Sequence, residues 1–454
     1  MSDNLQCPNC RRLGRQVEIY RHEVERLTAR VAALEEELRR SKRQAAPFGK
    51  DAPKPDPKRP GRKNGHKGFF RVPPAGGEVS EAIRVPLDRC PHCAGPVERV
   101  RDNAPIYQTD IPDVRPVVKR FDTQRGWCPR CHRKVRSRHP HQTSDANGAA
   151  GSQVGPNALA LAADLKHRLG VSFRKVVDLF QAHFGLNVTP GALAQASQRL
   201  AQKGALVYER LREEARESPS VHVDETGWRI AARRCWLWVF ATPRLSLYCI
   251  APTRGHLVVE GVLGEQYAGT LVSDGLATYD VLAARRQLCL AHVLKRCAKL
   301  DEEKTGGAVR FPRRVGALLR SALALRDRRD EMSPRGFAVA RGRIEAAADR
   351  LLHHHLVDPE NERLGAHLYK QRDHLFTFLH DEDVEPTNNL AERQLRPAVI
   401  ARKLSAGNRT ERRPRAHAVL ASLAATCRQR GQRFTELAVH LLCQPRPPPA
   451  LCAP

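Results

Sequence analysis

The stretch from Pro219 to Asp280 leaves few folds open. "SVHVDETG", "RCWLWVFAT" and "LSLYCIAP" are short apolar runs with the period of two that strands require. They follow one another closely enough to pair as hairpins, and so antiparallel. "GHLVVEGVLGEQY" then reads as a helix, and "GTLVSDGLATYD" supplies a fourth, buried strand that ends in Asp274. "QLCLAHVLKRCAKL" reads as a strand running into a helix.

Three antiparallel strands, a helix, a strand, a helix and a strand make the order of an RNase H-like α/β core. In that order the first and fourth strands are neighbours, so Asp224 and Asp274 are expected side by side at one end of the sheet. A carboxylate at the mouth of an apolar strand is costly to hold still unless something uses it. A divalent metal would use it. Phosphoryl transfer on DNA employs two hard cations, roughly 3.5 to 4 Å apart, and two carboxylates are too few to hold both. A third acid should come from a later helix, and "EPTNNLAERQLRPAVIARK" offers Glu392 just inside one that Thr387 or Asn388 can cap. Arg393 and Arg396 follow on that helix, with Lys403 beyond, as candidate DNA contacts. Glu385 and Asp383 compete for the third role but precede the helix. Glu225 adjoins Asp224 and points to the opposite face, which suits a structural acid better than a ligand.

The chain has 454 residues, so several domains are expected, and its net charge is +28. A charge of that size spread over most of the length points to nucleic acid, with a membrane surface or the ribosome as the alternative partner. No apolar run reaches membrane-spanning length, and "MSDNLQCPNC" lacks the apolar region of a signal peptide. The expected location is therefore the cytoplasm, associated with the nucleoid. In that reducing compartment the thirteen cysteines read as thiols or metal ligands rather than disulfides.

Upstream of the α/β segment the sequence is modular. Val17, Val24, Val31 and Leu38 recur every seventh residue, with Tyr20, Leu27 and Leu34 offset by three. That is the seam of a short coiled coil, and it points to a homo-oligomer. Cys7 and Cys10 precede it as a lone pair, a weak metal signal. A Pro, Gly and Lys/Arg linker follows, in which Arg59 and Arg62 of "KRPGRKNGHKG" are candidate minor-groove hooks. Cys90 and Cys93 in "CPHC", with Cys128 and Cys131 in "CPRC", are expected to hold a structural zinc ion, with strand-like "VRPVVKRFDTQRGW" between them forming a ribbon. His92 and His132 are expected to face solvent. Three helices follow, "GPNALALAADLKHRLG", "SFRKVVDLFQAHFG" capped by Ser172 and "PGALAQASQRLAQKGA" capped by Thr189, in a helix-turn-helix outline. Cys289 and His292 in "CLAH" hint at a metal pair but have no second pair nearby, and read as structural.

The motifs "HVDETGW…WLWV", "LVSDG…YD" and "PTNNLAERQLRP…RK" resemble the signatures of the DDE transposases of bacterial insertion sequences, in the group numbered sixty-six. Members of that group also carry an N-terminal coiled coil, a basic linker ending in residues like "GHKG" and a zinc-finger region, so the similarity covers nearly the whole chain. The resemblance implies Asp224, Asp274 and Glu392 as the metal-binding triad, with Mg2+ or Mn2+ as cofactor. It implies cleavage at transposon ends and strand transfer into target DNA, with small accessory proteins as possible partners. A non-catalytic DNA-binding regulator and an RNase H-like nuclease without joining activity are the rival readings. The expected organisation is a coiled coil over 1–44, a linker over 45–76, a zinc module over 77–145 and a helical DNA-binding domain over 155–210. The catalytic core then runs over 218–300 and 385–443, around a helical insertion at 301–384, and ends in a disordered tail at 444–454.

Overall fold

The computed structural model describes residues 8–43, 72–144, 151–231, 233–353, 356–405 and 412–444. The chain divides into two units, residues 1–114 and 115–454.

The first unit opens with helix α1, Pro8–Arg43. Its heptad residues Val17, Tyr20, Val24, Leu27, Val31 and Leu34 lie between 47% and 62% exposed, so nothing among the described residues covers this part of the apolar seam. The Leu38 and Cys10 side chains and the whole of Cys7 lie outside the described residues, as do Arg59 and Arg62. Further on, Cys90 begins a tight turn. Its N–H donates to Gly95 O at 2.9 Å, and Ala94 N–H donates back to Cys90 O at 2.8 Å.

The second unit begins with a small hairpin, β1 (Arg125–Cys128) and β2 (Arg133–Arg136), which carries Cys128 and Cys131 in and beside its turn. The hairpin is shorter than the ribbon expected from "VRPVVKRFDTQRGW". Residues 114–124 form no strand, and Val117 and Val118 are exposed. That run does not alternate, and Pro116 cannot donate to a ladder, so it had no face to bury and no full set of bonds to make.

Three helices come next: α2 (Pro156–His167), α3 (Phe173–Phe184) and α4 (Pro190–Glu217). Ser172 and Thr189 cap α3 and α4 as expected, accepting from Lys175 N–H and Ala192 N–H. The third helix runs a full twelve residues past Ala205, where the sequence pattern suggested it ended. Nothing breaks it before Pro219. Gly204 inside it is needed for packing, because a Cβ there would stand 3.2 Å from Leu423 Cδ2. Its later residues Tyr208, Leu211 and Ala215 are buried under the central sheet.

That sheet is mixed and has five strands: β3 (Ser220–Ile230), β4 (Arg233–Ala241), β5 (Ser246–Ala251), β6 (Thr270–Ser273) and β7 (Arg285–Leu288). The order is β5-β4-β3-β6-β7, with the first three antiparallel and the last two parallel to β3. This is the order expected of an RNase H-like core. Helix α5 (Leu257–Leu263) links β5 to β6. Between β6 and β7 the expected helix is a single 3-10 turn, Ala277–Tyr279.

Alternation sorts the strand residues onto two faces. Val221, Val223, Trp238 and Phe240 pack with α4, α5 and the C-terminal helices. Trp228, Leu237 and Val239 pack on the other face. After β7 come α6 (Leu290–Glu303) and a helical segment of α7 (Arg310–Asp327), α8 (Pro334–Leu352), α9 (Pro359–Lys370) and α10 (Thr377–His380). This segment has its own core, which meets the sheet at Val272 and Leu288. The chain then returns through α11 (Asn389–Ser405), whose Ala391, Leu395 and Ala398 cover the second face of the sheet. Helices α12 (Arg412–Gln429) and α13 (Phe434–Cys443) close the unit. Residues 445–454 of the tail lie outside the described residues.

Candidate active site

β3 and β6 run parallel, with His222 opposite Val272. Two residues on, that register carries Asp224 alongside Asp274, where the ladder ends. Partners in a parallel register share a face, so both carboxylates look toward α11. The Asp274 turn depends on Gly275. Its φ is +79°, and a Cβ there would collide with Leu288 Cδ1, so any side chain would strain the backbone and displace Leu288. Asp274 steadies the turn by accepting Leu276 N–H at 3.1 Å, and Asp224 accepts Glu225 N–H at 2.9 Å.

Glu392 lies in the first turn of α11. Its position is set by one of the two residues expected to cap the helix. The Asn388 side chain turns to the sheet instead: its amide Nδ2 donates to Val223 O at 2.8 Å. Its backbone N–H donates to Cys289 Sγ at 3.1 Å, while Pro386 O accepts Leu290 N–H at 2.9 Å. The starts of α6 and α11 are thereby pinned to each other and to the residue before Asp224.

Electrostatics report the same convergence. The Asp224 carboxyl is pushed up to about 7, first by burial and then by the negative charges of Glu225, Asp274 and Glu392, against the pull of the Glu225 N–H. Asp274 and Glu392 thus stand close enough to Asp224 for their charges to be felt. Three acids near one another, with no basic side chain bonded to Asp224 among the described residues, make a donor set of hard oxygens that fits a divalent cation.

The competing acids are occupied elsewhere. Glu385 is paired with Arg326 of α7 at 3.0 Å, and the Asp383 backbone is tied to the foot of β3, where its carbonyl accepts from Ser220 Oγ at 2.5 Å. Glu225, on the opposite face as expected, is clamped: Arg254 approaches its Oε1 at 2.5 Å and Tyr279 donates its hydroxyl to Oε2 at 2.9 Å. Arg393 and Arg396 are exposed on α11, and the Lys403 side chain lies outside the described residues.

Four residues of the site escaped the sequence reading or were set aside by it. Cys289 is fully buried and His292 half exposed, and His292 Nε2 stands 3.6 Å from Glu392 Oε1. Among the described residues, Cys289, His292 and Glu392 form a group whose potential ligand atoms lie within 4.8 Å of one another. His292 is pushed up to about 9, chiefly by its hydrogen bond to Cys289 and, against burial, by the charges of Cys289, Glu392 and Asp274. The signal in "CLAH" was the spacing of three at a helix start; its missing partner was Glu392, remote in sequence. His222 is buried beside Asn388 and Arg393, and burial holds its pKa down at about 4 against the opposing side-chain contact with Asn388. Arg402 reaches back from α11 to Thr226 Oγ1 at 3.1 Å and to Gly227 O.

Each cysteine pair forms a local knuckle. The N–H groups of His92 and Cys93 lower the Cys90 thiol, and those of Cys131 and Arg130 lower Cys128. N–H groups aimed at sulfur favour the thiolate, the form that binds metal. Cys90 and Cys93 belong to the first unit, and Cys128 and Cys131 to the second. Among the described residues no helix is long and apolar enough to cross a membrane.

Comparison with known families finds one model, described as the IS66 family of transposases, which matches residues 151–416. That span holds the three helices, the sheet, the helical segment and Glu392. No curated protein matches the chain.

Proposed function

The chain belongs to the IS66 family of transposases, and from that premise we propose that it cuts DNA at transposon ends and joins the freed ends to target DNA. Asp224, Asp274 and Glu392 would hold the divalent ions. The observation that supports this reading is that Asp274 at the β6 turn and Glu392 in the first turn of α11 both lie near enough to Asp224 for their charges to add to the rise that burial and Glu225 impose on its carboxyl. Mg2+ or Mn2+ bound there would supply Lewis-acid polarisation of the scissile phosphate and a more acidic attacking hydroxyl.

The chain's own residues would do the holding and aiming. Asn388 fixes the approach of α11 to β3, so that Glu392 meets the two strand-end acids. The Glu225 clamp on Arg254 and Tyr279 keeps β3 from shifting register beneath Asp224. Exposed Arg393 and Arg396 lie one and two turns along the same helix and suit phosphates flanking the cut. Exposed apolar residues on α1 would be covered by the same helix of a second copy, pairing the two transposon ends. The two cysteine knuckles would each supply thiolate ligands for structural zinc. No side-chain nucleophile is required.

The test is an assay on DNA carrying the element's own ends, scored separately for cleavage and for joining. Wild-type protein with Mg2+ should do both, and Asp274→Asn should do neither while still binding the DNA. Cleavage without joining would favour the nuclease reading, and binding without either would favour the regulator.

A further inference from the structure

We propose that Cys289, His292 and Glu392 form a second kind of metal site, for a soft divalent ion such as Zn2+, and that an ion held there withdraws Glu392 from the carboxylate cluster. Cys289 immediately precedes α6 and His292 lies in its first turn, so a spacing of three sets both side chains on one face. Glu392 comes from the first turn of α11. The two helix starts are held by Leu290 N–H to Pro386 O and Asn388 N–H to Cys289 Sγ, so the three donors meet through backbone contacts rather than through long mobile arms.

The distances are within reach of coordination. Tetrahedral zinc, with bonds of about 2.0 to 2.3 Å, keeps its ligand atoms roughly 3.3 to 3.7 Å apart. His292 Nε2 and Glu392 Oε1 are already at 3.6 Å, and all three donor atoms fall within 4.8 Å. The remaining closure of about 1 Å falls to His292 and Glu392, whose side chains are 49% and 33% exposed. Cys289 Sγ, buried and already accepting an N–H, needs no movement. That N–H is the kind of outer contact that steadies a thiolate ligand.

Thiolate, imidazole and carboxylate with a fourth position open is a zinc or cobalt set. Sulfur and nitrogen disfavour Mg2+, which demands oxygen. The two sites therefore select different ions, yet Glu392 belongs to both. Binding of the soft ion follows from these three residues alone. Its inhibitory consequence rests on the catalytic reading of Glu392.

The experiment is a Co2+ titration of the full-length protein, followed by the thiolate-to-cobalt charge-transfer band and by metal uptake. Wild-type protein should take up one Co2+ per chain more than Cys289→Ser or His292→Gln, and Glu392→Gln should weaken that uptake about tenfold or more. His292 is half exposed, so its variant tests the site even if Cys289→Ser folds poorly. Band and uptake unchanged in His292→Gln would overturn the proposal, because the signal would then belong to the other cysteine pairs. Uptake lost in all three variants, with normal DNA cleavage by Glu392→Gln, would leave this site standing and remove Glu392 from catalysis.

Discussion

Asp224→Asn should make the metal-free protein more stable at pH 8, although it removes a proposed metal ligand. The Asp224 carboxyl is displaced from 3.8 to about 7 by burial and by its acidic neighbours. At about 1.4 kcal/mol per tenfold, that amounts to roughly 4 kcal/mol against the ionised form. Asp224 is only partly buried, so solvent and salt reduce the figure to about 1 to 2 kcal/mol. The sign follows from linkage. An acid whose folded pKa is raised contributes most to stability where it is protonated in both states. That contribution is complete below the ordinary value of 3.8 and is lost as the pH rises through about 7. The amide never ionises and keeps it. Urea unfolding of both proteins in EDTA should therefore show the variant ahead by about 1 to 2 kcal/mol at pH 8, with the gap closing toward pH 4. Adding Mg2+ should then stabilise the wild type more than the variant, since only the wild type offers the full cluster of charges. A metal-free variant that is less stable than wild type at pH 8 would refute the reasoning, for it would mean that Asp224 is held by favourable contacts rather than kept waiting for a cation.

Glu225→Ala should cost about 3 kcal/mol or more in urea unfolding, because it leaves Arg254 and the buried Tyr279 hydroxyl without their acceptor. A cost under about 1 kcal/mol would put that clamp among the surface pairs. Gly275→Ala should destabilise by about 1 to 3 kcal/mol and lower DNA cleavage with it, since the Asp274 turn would have to move; an unchanged melting temperature would contradict the collision with Leu288. Leu27→Glu with Leu34→Glu should lower the oligomeric state by light scattering without shifting the melting of the second unit. A wild-type monomer at every concentration would assign the exposed α1 stripe to another role.

The central sheet was legible because its signals are local. β4 shows both faces in one run, Leu237 and Val239 against Trp238 and Phe240, and alternation of that kind admits few alternatives. The order of strands then carried Asp224 to Asp274 without any knowledge of side-chain contacts. The helix caps Ser172 and Thr189 were legible for the same reason. What failed was long-range or negative information. Asn388 looked like a cap, because Asn before a helix usually is one; only the closeness of Val223 reveals that its amide is spent on β3. "VRPVVKRF" has strand-forming residues but no partner, and propensity without a partner does not make a strand. Cys289 and His292 were visible as a pair, yet their third member comes from α11, and no spacing rule spans a helical segment of that length. The extension of α4 to Glu217 was hidden because Gly204 resembles a stop, whereas in the fold Leu423 and Val419 of α12 pack over it.

The central claim is that three acids from separate elements hold divalent ions together. Mn2+ binding to the full-length protein, read by the loss of the free-ion EPR signal with DNA ends present, tests it most directly. Asp224→Asn, Asp274→Asn and Glu392→Gln should each weaken binding by about tenfold or more, while Glu385→Gln, whose carboxylate is committed to Arg326, leaves it unchanged. Full Mn2+ binding by the Glu392 variant, or loss of binding on Glu385→Gln, would contradict the assignment.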